Sequence, residues 1–166
     1  MERPMRRKKQ EIDEAGLAVI LATSTSGVLG VNGIDGFPYT VPLSFAHEGN
    51  ALYFHCATQG YKLDALAADN RASFTIIAAD EIVPAKFTTK FRSIITQGRT
   101  HFIENAPEKQ HALELLVAKY SPGFEEAGAK TIAKEWGQTQ IIRFDIENIC
   151  GKEGREFVKL RPTPPR

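Results

Sequence analysis

The sequence predicts a mainly β protein, a small antiparallel barrel with a few helices packed on its outside. Three observations carry that prediction. Residues 38–47 (PYTVPLSFAH) alternate with period two, and residues 51–56 return as a second strand after Glu48-Gly-Asn50. Residues 91–104 read as one long strand, and Gly98 in its middle marks a bulge or a barrel corner. The strands are joined by short turns, and no Gly-rich strand–turn–helix of the dinucleotide-binding type occurs, so a parallel sheet is disfavoured.

In chain order, Ile12, Ala15 and Leu17 give a weak helical period that predicts a short helix ending near Gly16. Residues 17–23 (LAVILAT) are an apolar run of strand length, and residues 28–33 form a second strand. Asp35-Gly36 is the strongest short hairpin signal. In residues 38–47, Tyr39, Val41, Leu43 and Phe45 face one way. Residues 60–69 change period, placing Leu63, Leu66 and Ala67 on one helical face. Residues 71–78 are strand, and residues 80–90 are irregular around Pro84. Asn105 caps a helix over 106–119 that buries Ala112, Leu113, Leu116, Val117 and Tyr120, and Ser121-Pro-Gly123 stops it. A shorter helix over 128–136 and a last alternating strand over 138–146 complete a set of about seven strands.

The length of 166 residues suits one domain, 1–166. Residues 1–10, a basic head, and 151–166, ending Arg161-Pro-Thr-Pro-Pro-Arg166, are expected to be peripheral. A hydrophobic fraction of 42% and a charged fraction of 25% are those of an ordinary globular protein. With 21 basic and 20 acidic residues the net charge is +1, which argues against a polyanion binder such as a nucleic-acid-binding protein. No signal-type stretch follows the basic head and no apolar run approaches membrane-spanning length, so a cytoplasmic protein without membrane contact is expected. Cys56 and Cys150, the only cysteines, fit neither a disulfide framework nor a zinc pattern.

The densest polar cluster runs from Tyr53 to Asp64. A strand ends in His55 and Cys56, a small-residue turn follows, and Lys62 stands in the first turn of a helix. Backbone N–H groups at a helix start, a threonine hydroxyl and a lysine suit an anion such as a phosphate monoester; an ordinary capped helix is the alternative. His55 is either a hydrogen-bonded strand-end residue or a ligand contact. Cys56 follows His55 on a strand, so the two side chains point to opposite faces and a Cys–His nucleophile is disfavoured. His47, His101 and His111 belong to no motif and read as surface or strand-edge residues. Trp136 reads as packing.

The order of Pro38-Tyr-Thr-Val-Pro-Leu43, Leu52-Tyr-Phe-His-Cys-Ala57 and Gly60-Tyr-Lys-Leu-Asp64 resembles the split β-barrel flavoproteins related to pyridoxamine-5′-phosphate oxidase, nearest the 5-nitroimidazole-resistance (Nim) branch. Arg92-Ser-Ile-Ile-Thr-Gln-Gly98 and the opening Met5-Arg-Arg-Lys-Lys-Gln-Glu-Ile12 are also similar, and the resemblance spans roughly residues 5–147. It implies an FMN-binding split β-barrel and a homodimer with two FMN sites at the subunit interface. By that resemblance Tyr39, Thr40, Val41, Pro42 and Leu43 run along the isoalloxazine, His55, Cys56 and Ala57 line the ribityl and phosphate side, and Lys62 pairs with the phosphate. Ser93 and Gln97 close the site from the other subunit.

The resemblance further implies an FMN-dependent oxidoreductase that passes electrons to a small-molecule acceptor, with nitro reduction as the reaction of the Nim branch. No general acid or base is singled out, and catalytic residues stay unassigned. A flavin- or haem-binding protein without turnover is the alternative, with His55 as a haem ligand. A pyridoxamine-5′-phosphate oxidase is a further one, although Lys159-Leu-Arg-Pro162 matches its C-terminal motif poorly.

Overall fold

The computed structural model describes residues 4–161. Its strands are β1 (Ser26–Asn32), β2 (Pro38–Ser44), β3 (Ala46–Glu48), β4 (Ala51–Ala57), β5 (Arg71–Val83), β6 (Thr88–Phe102) and β7 (Thr139–Glu153). The helices are α1 (Glu14–Thr23), α2 (Tyr61–Ala68), α3 (Ala106–Tyr120), α4 (Glu125–Glu135) and α5 (Arg155–Val158). The strands form one antiparallel sheet in the order β2-β1-β5-β6-β7-β4-β3. β2 and β3 are its two edges, yet only Phe45 separates them in sequence. One residue spans roughly 3.5 Å, so the sheet has to curl until its edges meet at Phe45. The chain joins the edges there, where a closed barrel would have a ladder of hydrogen bonds. This is a split β-barrel.

The side chain of Phe45 is fully buried. Its N–H donates to the Tyr120 hydroxyl at 2.8 Å, and that hydroxyl lies 2.8 Å from the Phe45 carbonyl and 2.5 Å from that of Thr25. The last turn of α3 therefore pins the corner where the two edges meet. Inward-facing Leu29, Phe54, Phe74, Ile76, Ile94 and Phe144 fill the barrel around Phe45. A second core lies outside it, where Ala112, Leu113 and Leu116 of α3 and Ile132 of α4 cover Ala46, Tyr53 and Ile141.

Several expectations hold. Gly36, at φ +86, turns the β1–β2 hairpin. The β6–β7 register slips between Gln97 and Gly98, and a Cβ on Gly98 would lie 1.9 Å from the Asp145 carbonyl oxygen, so only glycine fits that bulge. The Asn105 side chain accepts from the Glu108 N–H at 3.0 Å and caps α3.

Others are corrected. Residues 17–23 are helical, part of α1. The Asp13 side chain accepts from the Gly16 N–H at 2.9 Å, so Gly16 lies in the first turn of this helix and not at the end of an earlier one. A run that is apolar throughout carries no period of its own, and here the cap decides it. The strand expected over 38–47 breaks at Phe45 into β2 and β3, as closing the barrel requires. Residues 80–90 are regular: β5 and β6 stay paired as far as Val83 and Thr88, and Pro84 sits in the turn between them, where it needs no donor. On α2 the buried residues are Ala65 and Leu66, while Ala67 is exposed.

Both peripheral segments reach into the structure. β7 continues to Glu153, which is 2% exposed and held by Arg92 Nε at 2.7 Å and Arg161 Nε at 2.6 Å. Gln10 is buried and donates to the Glu153 carbonyl at 2.9 Å. The expectations for residues 1–3 and 162–166 lie outside the described residues.

Candidate functional site

β2 pairs with β1 along one side only, so its other side presents backbone N–H and C=O groups that no strand takes up. Pro42 lacks a donor and suits an edge. Tyr39, Val41 and Leu43 turn inward against the barrel core, while Thr40 and Pro42 point outward. The β1 residue opposite Thr40 is Gly30, which faces Ser73 on its other side, and Ser73 faces Gln97. Small side chains along this row leave a depression of about 490 Å³ on the outer face of the sheet. Tyr39, Thr40, Ser73 and Gln97 line it, with Arg71 and Arg99 at its rim. Both arginines are already paired, Arg71 with Asp69 at 2.6 Å and Arg99 with Glu147 at 2.9 Å.

At the end of β4 the strand alternation separates two neighbours. Cys56 turns toward the barrel core and His55 toward the opposite side. Burial pushes the Cys56 thiol up, and the Lys62 ammonium beside it pulls partly the other way. Gly60 precedes α2 at φ +137, a backbone shape that glycine adopts without strain, and no side chain caps the helix. Lys62, in the first turn of α2, makes no ion pair with a carboxylate among the described residues.

The start of α2 is fastened to the β1–β2 loop. Tyr61 donates its hydroxyl to Asp35 at 2.7 Å, and its ring lies 4.9 Å from that of Tyr39. The same bond holds the Asp35 carboxyl below its ordinary range and the Tyr61 phenol above its own. One clamp thus fixes the β2 edge relative to Lys62. Asp35 reads in the sequence only as a turn former, and nothing local shows that its carboxylate reaches across 26 residues.

The sequence-derived residues fall into separate places. Tyr39, Thr40 and Gln97 line the outer depression of a single chain, and Cys56 and Lys62 meet at α2. His55 instead lines a second cavity of about 620 Å³ under α3 and α4, with Leu113, Leu116, Tyr120 and Ile132. Ser93 sits half-buried on β6 opposite Ile77 and Lys152. Val41, Pro42, Leu43 and Ala57 line neither cavity. His101 and His111 are exposed beside Asp145 and Glu48, and His47 contacts the Gly49 carbonyl at 3.0 Å. Trp136 packs on the second core with Lys109 over its ring. Among the described residues no group of three His, Cys, Asp or Glu could hold a metal, and no helix is long and apolar enough to cross a membrane.

A curled antiparallel sheet whose edges meet at one residue, with helices outside it, defines the split-barrel class. The chain belongs to the pyridoxamine 5′-phosphate oxidase family, whose model matches residues 13–153. Solved structures share the fold. A candidate 5-nitroimidazole antibiotic resistance protein from Bacteroides thetaiotaomicron is 23% identical, with a TM-score of 0.70 over 86% of this chain and 85% of that one. The flavocytochrome Anf3 from Azotobacter vinelandii is 23% identical, with a TM-score of 0.78 over 97% and 79%. A FAD- and heme-binding protein from Mycobacterium smegmatis is 24% identical, with a TM-score of 0.73 over 89% and 74%. No curated protein matches the chain.

Proposed function

We propose that the chain is an FMN-dependent oxidoreductase that works as a homodimer and reduces a small-molecule acceptor, with nitro compounds as the acceptor class. The observation that carries this reading is the free edge of β2 held in fixed relation to Lys62 through the Tyr61–Asp35 bond. A flavin needs backbone donors and acceptors for its polar ring edge and a cation for its phosphate. The β2 edge supplies the first and Lys62 the second, at a helix start that no side chain caps. Of the proposed contacts, Tyr39, Thr40 and Gln97 line the outer depression of about 490 Å³, and Lys62 lies outside its lining.

Bound flavin supplies hydride or electron transfer, and the protein positions it. In this reading residues 39–43 orient the ring through their backbone, Lys62 holds the phosphate, and Gln97 offers an amide beside the depression. Family membership supports a flavin, as do the flavocytochrome and the FAD-binding protein among the structural neighbours. The candidate nitroimidazole-resistance protein supports the acceptor class.

The homodimer rests on the outer face of the sheet. Ile77 is 65% and Ile95 41% exposed there. Pro42, Val28, Thr75, Ile95 and Cys150 form one cross-strand row, which carries no charge. A second copy on this face would cover these residues and wall the open depression; light scattering should give twice 18.4 kDa.

The deciding experiment is a fluorescence titration of apo-protein with FMN and with riboflavin. Lys62→Ala should weaken FMN about ten- to a hundredfold, roughly 1.5–3 kcal/mol, and leave riboflavin unchanged. Equal FMN affinities in both proteins would remove Lys62 from the site. His55, turned into a cavity lined by leucines and isoleucine, favours a second reading, a carrier of flavin or haem without turnover. A Soret band lost in His55→Ala would mark the haem form.

A further inference from the structure

We infer that the cleft between the N-terminal basic segment and α5 binds the clustered phosphates of a small anion, a nucleoside diphosphate or an inorganic polyphosphate. Arg6, Arg7, Lys8, Lys9, Arg155 and Lys159 line it with Gln10 and Val158, and no acidic residue does. The chain as a whole is almost neutral, at +1, yet six of its 21 cations converge here. Elsewhere Arg71, Lys90, Arg92, Arg99, Lys130, Arg143 and Arg161 each have a carboxylate within 3.0 Å, while the other described cations, such as Lys62 and Lys134, are scattered and form no second cluster. Among the described residues, none of the six in the cleft has one within ion-pair distance.

Charges on a solvated surface are free to spread apart, but these are strapped together. The Ile12 N–H donates to the Gly151 carbonyl at 3.0 Å, and Gln10 Nε2 to that of Glu153 at 2.9 Å. Arg161 Nη2 donates to the Glu11 carbonyl at 2.6 Å, and Glu11 bridges to Lys152. These bonds hold residues 6–9 against residues 155–159, nearly the whole chain away in sequence, despite their mutual repulsion. The buried Glu153 behind them is fully engaged by Arg92 and Arg161 and offers no counter-charge to the cleft.

An anion in the cleft would remove the repulsion. Several phosphates suit it better than one, because the cations approach from both walls. The cleft is concave and holds about 510 Å³, the size of a small-molecule site; a duplex would need a basic stripe along the surface. Val158 and the lysine and arginine stems give apolar wall that a nucleobase could cover. The cleft sits at the Glu153 end of β7, whereas Lys62 belongs to the Thr139 end, so the inference does not rest on the flavin reading.

Isothermal titration of the purified full chain with pyrophosphate and with ADP at low ionic strength tests it. Wild type should bind pyrophosphate, and Arg155→Gln/Lys159→Gln should bind it about ten- to a hundredfold more weakly. Among the described residues neither side chain makes a hydrogen bond or ion pair; Arg6→Gln/Lys9→Gln gives the same test from the other wall. Lys62→Ala should keep wild-type affinity. Tighter binding of ADP than of pyrophosphate would support a nucleotide, and equal binding a polyphosphate. The proposal fails if pyrophosphate does not bind, if both double variants match wild type, or if Lys62→Ala alone abolishes binding. It fails equally if duplex DNA binds and neither small anion does.

Discussion

At one end of β7 the Glu153 carboxylate is almost fully buried and clasped by two guanidinium groups, with Phe157 stacked 4.2 Å from Arg92. At the other end, where Thr139 pairs with Ala57, Lys62 stands at a helix start with no carboxylate partner among the described residues. The first arrangement satisfies its charges internally, and Glu153 ties Gln10 and Arg161 to the barrel. The second leaves a cation and a row of backbone groups for something outside the chain. Buried charge is tolerated only with partners, whereas an unpartnered charge has to stay near solvent, where a ligand can reach it.

The largest expected effect breaks the satisfied end. Glu153→Ala leaves Arg92 and Arg161 facing each other without their carboxylate and should cost about 3 kcal/mol in denaturant unfolding. FMN affinity should stay near wild type under folding conditions. If stability changes by less than about 0.5 kcal/mol, the clasp is only a surface contact.

A smaller effect sharpens the open end. Tyr61→Phe removes the hydroxyl that ties α2 to Asp35 while keeping the ring against Tyr39. Stability should fall by about 1 kcal/mol or less, as for one exposed hydrogen bond. FMN affinity should fall several-fold, because Lys62 and the β2 edge lose their fixed relation. Unchanged FMN binding would show that the clamp does not position the site.

The smallest effect concerns a cation that belongs to neither pattern. Among the described residues the buried Lys119 Nζ has no hydrogen-bond partner, and it lies 3.8 Å from the centre of the Phe45 ring. Burial lowers its pKa. Between the lowered folded-state value and the unfolded value of about 10.4, the unfolded chain holds more protons, so stability rises with pH across that window. Lys119→Met should stabilise the protein at pH 7 by up to about 1 kcal/mol and abolish the part of the alkaline rise due to this group. Parallel stability–pH curves for the two proteins would show that the lysine is adequately solvated.

Local patterns made much of the fold readable in advance. The alternation of residues 38–44, the Asp35-Gly36 turn and the Asn105 cap each depend on neighbours a few residues away, so the sequence carries them directly. Gly98 is legible only as a glycine inside a long strand, since its bulge is set by the Asp145 carbonyl across β6 and β7. The apolar run 17–23 reads as a strand because it has no polar face to set a helical period, and it is helical because the Asp13 cap starts α1 just before it. The candidate site was legible as residue types around Tyr39, His55 and Lys62, but not as an arrangement.

By itself, the sequence determined most of the strand and turn grammar and the family. Only the tertiary structure decided that β2 and β3 become the two edges of one curled sheet, which leaves the β2 backbone free on one side. It also placed His55 in the cavity under α3 and α4, joined Asp35 to Tyr61, and buried Glu153 between arginines 61 residues before and 8 after it. These features depend on contacts between residues far apart in the chain. No local propensity records such contacts, because they form only when the barrel closes and the free energy of burial selects which distant groups must satisfy one another.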